Sequence, residues 1–476
     1  MSCDLDVAVI GGGISGLGTA WALARRGIRV ALFEKHHTVG GRIFSQRQGG
    51  FLMEHGPNAL ISPAPATEKL ICDLALGDER IDRGSGVRHR YLVRDGRAHA
   101  LPLDPLRFFA SGFFSLGARL RLLAEPFIAA RAQDESVADF ARRRLGREFL
   151  DYLVDPLVGG LQAGDPERIG VAAVFPHLKR MERESGSIVR GLLRARMSRG
   201  WVRGSLDPRQ RMLFSFREGM GALPAALAVW LGERIRLGVR VDRVVPARGA
   251  FRLAVSRAGI AQTVRARAVV IALPAYAAAK LIQPIDAAVA DAARAIAHPP
   301  LAVVFLGYSE RDITHPLDGL GVLMPRIEHR GVLGMLFSST LFNGRAPKGH
   351  VAITAYVGGA REPELAAASP DELVHRVDDD MRQLFGARGK PIHARVRYWR
   401  AGLPQPGVCH AERIGGLRAL EHALPGIFVT GNYLNGVSTA ACIDEAFAVA
   451  GRVSASLARH VATAARGAGD LDVRVA

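Results

Sequence analysis

The chain has 476 residues, which is enough for two or three domains around a large apolar core. Its net charge of +18 comes mainly from arginine and favours anionic partners, but no DNA- or RNA-binding motif accompanies it, so we expect no nucleic acid. No stretch reaches the roughly 18 uninterrupted apolar residues of a membrane span, and the acidic N-terminus does not resemble a signal peptide. The cysteines have neither paired spacing nor a metal-ligand grouping, which indicates reduced thiols and no metal: Cys3, Cys72, Cys409 and Cys442.

The first strand pattern runs into a glycine-rich turn, then a helix, a second strand and an acid. In a dinucleotide-binding unit, Gly11 permits the tight turn, Gly13 lets the backbone approach a pyrophosphate, and Gly16 lets the helix pack on the strand. Ser15 lies at the start of this helix, whose N–H groups and dipole favour phosphate. Glu34 is spaced to accept hydrogen bonds from ribose hydroxyls. The pattern predicts a dinucleotide site without deciding between FAD and NAD.

A second glycine pair, Gly40-Gly41-Arg42, follows shortly after Glu34. Beside the first motif it resembles the flavin amine oxidase superfamily, in which this arginine and its loop lie along the FAD diphosphate. The resemblance therefore implies FAD, with Gly41 and Arg42 among its contacts. The covalent-flavin cysteine motif of some members is absent, so we expect the FAD to be bound non-covalently.

Further along the chain, a hairpin is predicted over residues 88–105 with Asp95-Gly96 as its turn, and consecutive helices follow to about residue 205. A three-stranded meander is predicted over residues 238–274. Its last strand is apolar on both faces, as expected of a strand that re-enters the nucleotide domain. Residues 299–400 predict an antiparallel sheet with one helix.

These elements predict an α/β fold: a discontinuous Rossmann-like FAD-binding domain, an antiparallel-sheet substrate domain and an inserted helical domain. The predicted boundaries are 1–87, 206–285 and 416–461 for the FAD-binding domain, 88–105 and 286–415 for the substrate domain, 106–205 for the helical domain, and 462–476 for a disordered tail.

The C-terminal pattern is a strand that ends at Gly431 and a helix that starts near Ser438. In flavoenzymes of this kind the closing helix points its dipole at the N1–C2=O edge of the flavin. Backbone groups near Gly436 and Val437 are then predicted contacts. The alternative is an ordinary strand–helix unit without a ligand.

Over residues 5–460 the chain resembles the protoporphyrinogen and coproporphyrinogen oxidase family. The resemblance is specific through the order and spacing of its blocks, which are HGPN (55–58), HRYLVRDGRAHALP (89–102), ESVADFARRRLG (135–146), DPLVGGLQAGDPERI (155–169), GSIVRG (186–191), FREGMGALP (216–224), LFSSTLFNGRAPKGH (336–350) and GNYLNGV (431–437).

This resemblance implies four substrate-binding residues. Arg90 matches an arginine that pairs with a substrate propionate, a task suited to its planar fork of donors. Leu323 and Phe342 match apolar residues that sandwich a tetrapyrrole, and Gly160 matches a glycine whose backbone lines the pocket. A solvated hairpin arginine and plain core packing are the alternative interpretations. The implied cofactor contacts are Gly56, Pro57 and Asn58 of the HGPN block, Val241 at the adenine, Trp399 near the flavin, and Gly431.

Residues 106–200 correspond to the family's helical membrane-binding domain. Aromatic residues beside cations suit an interfacial contact with anionic lipid: Phe108, Phe109, Phe113 and Phe114, followed by Arg119 and Arg121. A buried helical core with a solvated basic face is the alternative. We expect a cytoplasmic protein held peripherally on the inner face of the cell membrane, and a homodimer stays open.

The implied function is an FAD-dependent oxidase that removes hydrogens from protoporphyrinogen IX or coproporphyrinogen III. Dioxygen is the implied acceptor, and porphyrin and H₂O₂ are the products, in haem biosynthesis. No catalytic base is assigned. Gln162, Asn343 and Pro406 depart from the family pattern in pocket-lining blocks. They leave open a flavin amine oxidase or desaturase with another substrate in specialised metabolism. A non-catalytic flavin-binding scaffold is the third hypothesis.

Overall fold

The computed structural model describes residues 3–102, 112–197 and 212–472. Its strands are β1 Leu5–Ile10, β2 Val30–Glu34, β3 Ser45–Gln48, β4 Phe51–Glu54, β5 Leu60–Ser62, β6 Arg80–Asp82, β7 His89–Arg94, β8 Arg97–Pro102, β9 Met212–Phe216, β10 Ile235–Leu237, β11 Val239–Ala247, β12 Ala250–Arg257, β13 Ile260–Ile271, β14 Leu301–Ser309, β15 Gly319–Leu323, β16 Val332–Phe337, β17 His350–Gly358, β18 His393–Trp399 and β19 Ile427–Val429.

The helices are α1 Ile14–Ala24, α2 Pro65–Asp73, α3 Leu116–Leu123, α4 Val137–Arg144, α5 Arg147–Phe149, α6 Asp155–Gln162, α7 Val171–Val174, α8 Pro176–Ser185, α9 Ile188–Met197, α10 Ala222–Leu231, α11 Ala275–Ile282, α12 Ala287–Arg294, α13 Ser338–Leu341, α14 Pro370–Phe385, α15 His410–Ala423 and α16 Thr439–Asp472. A π-helical segment, Leu150–Val154, joins α5 to α6.

The first sheet has seven strands in the order β10-β2-β1-β13-β12-β11, with β19 beside β13. β1 is parallel to both β2 and β13, and β13 is parallel to β19. Nearly every residue of β1 is buried, as is the end of β13, because both faces of these strands are covered. Three remote stretches of chain thus share one sheet, which confirms the prediction of a discontinuous Rossmann-like domain.

The second sheet has the order β18-β14-β17-β16-β15-β7-β8. Asp95 and Gly96 both have positive φ, 53° and 71°, so the predicted Asp-Gly turn closes the β7–β8 hairpin. β7 pairs with β15 in parallel, so the sheet predicted as antiparallel is mixed at this pairing. A parallel pair is possible here because a long stretch of chain separates the two strands. Helix α14 packs against one face and leaves the other face available for a site.

A buried ionic cluster holds the helical region between β8 and β9 together. Arg144 is fully buried, and its guanidinium donates to Glu125 at 3.0 Å and to Glu182 at 2.8 Å. Lys179 and Arg143 add further ion pairs to Glu182. Glu125 also accepts the backbone N–H of Ile188 at 2.9 Å. The cluster therefore joins α4, α8 and the start of α9 through charged groups rather than apolar packing alone.

The aromatic residues predicted to enter a membrane do not do so where the structure describes them. Phe113 and Phe114 are buried, and the Phe114 ring stacks on Phe149 with centroids 4.1 Å apart. Both pack against the β7–β8 hairpin in one apolar cluster. That prediction is wrong for these two residues, because the hairpin offers them an apolar surface. Phe108 and Phe109 lie outside the described residues.

The cations predicted beside them are not free surface charges either. Arg121 is half-buried and donates to the carbonyl of Arg143 at 2.6 Å. Arg119 is also half-buried, with its Nε enclosed. These arginines pack within the helical region.

The closing helix α16 begins at Thr439, close to its predicted start, and continues to Asp472. The helix thus extends into the segment predicted as a disordered tail from residue 462, as far as Asp472. Among the described helices, none is both long enough and apolar enough to cross a bilayer.

Candidate active site

The glycine turn after β1 has the geometry that its sequence predicts. Gly11 has φ +110°, and a Cβ atom on Gly16 would lie only 1.9 Å from the Gly11 carbonyl oxygen. The helix can therefore approach the strand only because residue 16 is glycine. At Gly13 an added Cβ would meet nothing within 4 Å, which leaves open space beside the backbone. Ser15 is buried in the first turn of α1.

Glu34 is held rigidly at the end of β2. Its Oε2 accepts the backbone N–H of Gly12 at 2.6 Å, and its Oε1 accepts the backbone N–H of His36 at 2.9 Å. The carboxylate is thereby fixed beside the glycine turn, with acceptor capacity left over for hydroxyl donors.

The second glycine motif lies directly against the first. The backbone N–H of Gly40 donates to the Gly12 carbonyl at 2.8 Å, and a Cβ on Gly41 would lie 3.2 Å from the Gly13 Cα. Arg42 donates to the Ala401 carbonyl at 2.7 Å and has no carboxylate partner among the described residues. Burial lowers the pKa of this guanidinium. A desolvated cation without a counter-ion fits an anionic group such as a diphosphate.

The HGPN loop continues this surface toward the second sheet. A Cβ on Gly56 would lie 1.9 Å from the Arg42 carbonyl oxygen, so the loop packs closely on the Arg42 backbone. Trp399 donates its indole N–H to the carbonyl of His55 at 2.7 Å. Asn58 donates to the hydroxyl of Tyr356 at 2.5 Å. Pro57 lies half-buried between them. The predicted contacts of this loop and Trp399 are therefore brought together.

The C-terminal segment supplies a second helix N-terminus. The side chain of Ser438 accepts the backbone N–H of Ala441 at 3.1 Å and caps α16. Gly436 has φ +123° and, like Val437, lies just before this cap, while Gly431 follows the end of β19. The donors of the first helical turn thus lie near the carboxyl ends of the parallel strands, where α/β sheets bind ligands.

Val241 lies in β11, next to an irregularity in its pairing with β12. The turn before β11 is tied to the end of β2, since the backbone N–H of Gly238 donates to the His36 carbonyl at 3.0 Å. A bulge leaves backbone groups outside the ladder, which fits the predicted backbone contact of Val241.

The face of the second sheet opposite α14 forms the other half of the site. By strand alternation and register it carries, from one edge toward the other, Arg90, Leu323, Leu336, Tyr356 and Trp399. The face is mostly apolar, with an arginine at one end and the HGPN loop at the other.

Arg90 has the properties expected of an anion-binding residue. Its side chain is exposed, and no carboxylate pairs with it among the described residues. Desolvation by the surrounding protein nevertheless lowers its pKa. An accessible guanidinium within a dense protein environment indicates a concave position rather than a flat surface.

Gly160 and Leu323 are in direct contact. A Cβ on Gly160 would lie 2.3 Å from the Cδ2 of Leu323, so α6 can approach the sheet only at a glycine. The structure thus brings both predicted substrate residues together beside Leu92, which shares the strand of Arg90.

Comparison with known proteins agrees with this arrangement. A family model described as flavin containing amine oxidoreductase matches residues 14–456. The chain belongs to this family. The chloroplastic protoporphyrinogen oxidase of Nicotiana tabacum is 30% identical, over 96% of this chain and 87% of that protein. The coproporphyrinogen III oxidase of Bacillus subtilis (strain 168) is 25% identical, over 92% of this chain and 96% of that protein.

The fold is likewise that of a solved structure. A crystal structure of an Exiguobacterium sp. 255-15 protein has a TM-score of 0.80 at 21% identity, and covers 96% of this chain and 100% of its own. The family resemblance predicted from the sequence is confirmed. The protein is an FAD-dependent oxidase. The open space at Gly13, the fixed carboxylate of Glu34 and the unpaired Arg42 fit that cofactor.

Phe342 differs from the other predicted substrate residues of this flavoprotein. It is only 1% exposed and packs with Val87 and Leu341 in a separate apolar cluster, beneath the guanidinium of Arg345. Leu336, on the sheet face, packs against this cluster. Phe342 therefore lies on the same side of the sheet as Leu336, but it is enclosed in this cluster and does not line an accessible surface.

The residues that depart from the family pattern lie in different surroundings. Gln162 ends α6, and its carbonyl accepts the side-chain N–H of Gln405 at 3.0 Å. The carbonyl of Pro406 accepts the backbone N–H of Gly170 at 2.9 Å. Asn343 is exposed in the turn after α13. Gln162 thus ties the end of α6 to the loop that holds Gln405, and Pro406 ties the same loop to the segment before α7.

Two residues near the cofactor site are not predicted from the sequence. His298 is part-buried, its ring contacts Tyr276 edge-on at 5.2 Å, and burial together with the charge of Arg42 lowers its pKa to about 4. Tyr356 contacts Asn58 although 298 positions separate them in sequence. The long-range register of the second sheet brings Tyr356 to the site, and no local motif marks either residue.

Proposed function

We propose that the protein oxidises a porphyrinogen, either protoporphyrinogen IX or coproporphyrinogen III, to the corresponding porphyrin. Dioxygen is the proposed acceptor and H₂O₂ the second product, within haem biosynthesis. The observation that carries the proposal is the sheet face that begins at the unpaired Arg90 and continues through Leu323 to the HGPN loop. An apolar surface that ends at an accessible cation suits a flat macrocycle with carboxylate arms.

The residues of the chain have mainly binding and orienting tasks in this reaction. Arg90 holds a propionate, while Leu323 and the backbone at Gly160 contact the ring. Gly13 and Arg42 hold the diphosphate of non-covalently bound FAD, and Glu34 holds its ribose. The N-terminus of α16 stabilises negative charge at the flavin. When bound, FAD accepts hydride equivalents from the substrate and passes the electrons on.

The proposal is tested by anaerobic mixing of the FAD-loaded enzyme with each candidate substrate. We expect the visible absorbance of FAD to bleach with protoporphyrinogen IX or with coproporphyrinogen III, and to return when air is admitted. Bleaching by neither porphyrinogen would reject the proposal. Bleaching without recovery in air would reject dioxygen as the acceptor.

A second candidate is an oxidase or desaturase of this family that acts on a different polycyclic or amine substrate. The Oε1 atom of Gln162 is buried and has no hydrogen-bond partner among the described residues, at a position where the resembling family has an aromatic residue. A polar group there favours a substrate with a donor of its own. Bleaching by an amine in the same experiment, with no response to porphyrinogens, would support this candidate.

We also propose that the helical region docks on the cytoplasmic face of the cell membrane. An exposed apolar stripe follows α3 and the turn after it at the i, i+4, i+7, i+11 spacing of one helix face: Leu116, Leu120, Leu123 and Phe127, which are 66%, 56%, 70% and 85% exposed. On neighbouring α9, Leu192 and Leu193 are exposed beside the exposed Arg190 and Arg194. Apolar anchors flanked by cations suit an anionic lipid surface without a spanning helix.

Vesicle flotation tests this docking proposal. The holoenzyme should float with vesicles that contain anionic lipid, and the double variant Leu120→Glu/Leu123→Glu should stay in solution with its FAD content unchanged. Val229→Glu is the matched control, because Val229 is 85% exposed on α10, outside the helical region. Equal flotation of the double variant and the control would contradict the proposal.

A further inference from the structure

Tyr356 and Asn58 form a contact between the substrate sheet and the cofactor loop. Tyr356 lies on β17, on the sheet face that also carries Leu323 and Trp399, and its side chain is partly buried. Asn58 ends the HGPN loop. Its Nδ2 atom is 2.5 Å from the Tyr356 hydroxyl and 3.3 Å from the carbonyl oxygen of Gly56.

The second of these contacts fixes the orientation of the amide. A carbonyl oxygen can only accept, so the Asn58 atom that faces Gly56 must be the NH₂ group. The same NH₂ group then donates to the hydroxyl of Tyr356, whose oxygen is the acceptor. Exchange of the two amide atoms would place two acceptors against each other at Gly56.

This orientation leaves the hydroxyl hydrogen of Tyr356 without an acceptor. No described residue accepts it, although the side chain is partly buried. Desolvation raises the pKa of this hydroxyl well above its usual range, so the hydrogen is retained at any working pH. A partly buried donor without an acceptor is unfavourable, which indicates that a bound group completes the site.

We propose that the Tyr356 hydroxyl donates a hydrogen bond to an acceptor atom on the isoalloxazine ring of FAD. The donor lies beside the loop that resembles the family's cofactor contact, and Trp399, on the same sheet face, is bonded to that loop through His55. Asn58 holds the hydroxyl oxygen and turns the hydrogen away from the loop. Tyr356 is therefore a positioning residue for the flavin. This inference requires FAD but does not depend on which substrate is oxidised.

The test is Tyr356→Phe in the FAD-loaded enzyme, without substrate. A hydrogen bond to the ring strengthens when reduction makes the ring more electron-rich, so its loss should make the reduction potential more negative. We expect the equilibrium constant against a reference dye to fall about 2- to 10-fold, together with a change in the visible FAD spectrum. The phenyl ring retains the packing of Tyr356, and FAD content checks that the variant is folded.

Tyr398→Phe is the matched control. Tyr398 lies on the neighbouring part of the sheet and donates to the Ala368 carbonyl at 2.7 Å. The reduction potential and visible spectrum of FAD in Tyr398→Phe should therefore match those of the wild type. An unchanged potential and spectrum in Tyr356→Phe would overturn the proposal. In separate steady-state kinetics, a raised KM beside an unchanged FAD potential and spectrum would also overturn it, because the acceptor would then lie on the substrate. The potential and spectrum are measured without substrate, so this test remains decisive even if no porphyrinogen reacts with the enzyme.

Discussion

Arg90 shows how a single side chain links the sequence to the proposed chemistry. It belongs to a strand whose neighbours Tyr91 and Val93 are buried in the core behind the sheet, so alternation turns Arg90 to the opposite face. There it has no carboxylate partner among the described residues and is partly desolvated. Such a guanidinium gains more from a substrate anion than a fully hydrated one would.

We predict that Arg90→Ala raises KM for a propionate-bearing porphyrinogen about 10- to 100-fold, because hydrogen bonds to a charged group contribute about 1.5–3 kcal/mol. The FAD spectrum should be unaffected, since the cofactor cradle lies elsewhere. Steady-state kinetics give the answer. Arg97→Ala, an exposed arginine at the far end of the same hairpin, should behave as the wild type. Wild-type KM in Arg90→Ala would remove Arg90 from the substrate site.

Single residues also show how far the sequence alone could be followed. Gly11, Gly13 and Gly16 could be placed correctly because their roles depend on a local strand–turn–helix unit. Phe114 could not, because an aromatic residue that anchors in lipid and one that packs on a distant hairpin look alike in sequence. The partner of Asn58 was equally inaccessible, since sheet register over hundreds of residues decides it.

At the scale of elements, the helical region depends on the charged cluster around Arg144. Burial alone would raise the pKa of Glu182, but hydrogen bonds from Lys179, Arg144 and Arg143 outweigh it and lower the value to about 2. A carboxylate with a lowered pKa stabilises the fold fully when the pH is above the pKa that the group has in the unfolded chain, about 4.5. That contribution is lost as the pH falls from about 4.5 toward 2. The helices should therefore loosen in acid.

We predict that Glu182→Gln destabilises this region by about 3–5 kcal/mol near neutral pH, because it leaves buried cations short of a partner. The variant should also lose part of the acid sensitivity of the wild type. Limited proteolysis and thermal unfolding across pH 2–7 measure both effects. Glu184→Gln on the same helix is the control, since Glu184 is exposed. Equal stability of the two variants would contradict the structural role of the cluster.

Most helices and strands could be anticipated from their patterns, because apolar periodicity and turn residues act locally. The meander of β11 to β13 and the Asp-Gly hairpin are examples. The short strands β5, β6 and β9 were not anticipated. They pair with one another across more than a hundred residues, and each is too short to produce a pattern of its own.

At the scale of the whole molecule, Glu54 of β4 lies in a joint between the segment that follows β9 and the loop before β17. Burial raises its pKa to about 7, although Ser45 and the Met220 backbone N–H donate to it and Arg345 lies 3.7 Å away. Arg345, from the loop before β17, is itself only 1% exposed, and its guanidinium donates to the hydroxyl of Ser215 in β9 at 2.7 Å. This joint therefore connects the substrate sheet to the cofactor domain.

A carboxyl group with a raised pKa stabilises the fold fully when the pH is below the pKa that the group has in the unfolded chain. The contribution is lost as the pH rises through the pKa that it has in the folded protein. For Glu54 that window is about pH 4.5 to 7. We predict that Glu54→Gln matches the wild type in free energy of unfolding at pH 5 and exceeds it at pH 8 by up to about 3 kcal/mol, which denaturant or thermal unfolding at the two pH values measures. Glu218→Gln, at an exposed neighbouring position, should show no such change. A constant difference between Glu54→Gln and wild type at both pH values would count against this assignment.

The pairing of β19 with β13 has a consequence for biosynthesis. The edge of β13 at residues 269–271 stays without its neighbour until Ile427–Val429 leave the ribosome, long after β13 itself has emerged. An open strand edge invites incorrect pairing with other chains, so this interval is the hazardous part of maturation. The coenzyme cradle cannot be finished before this segment has been made, and shortened products that stop before residue 427 should emerge colourless.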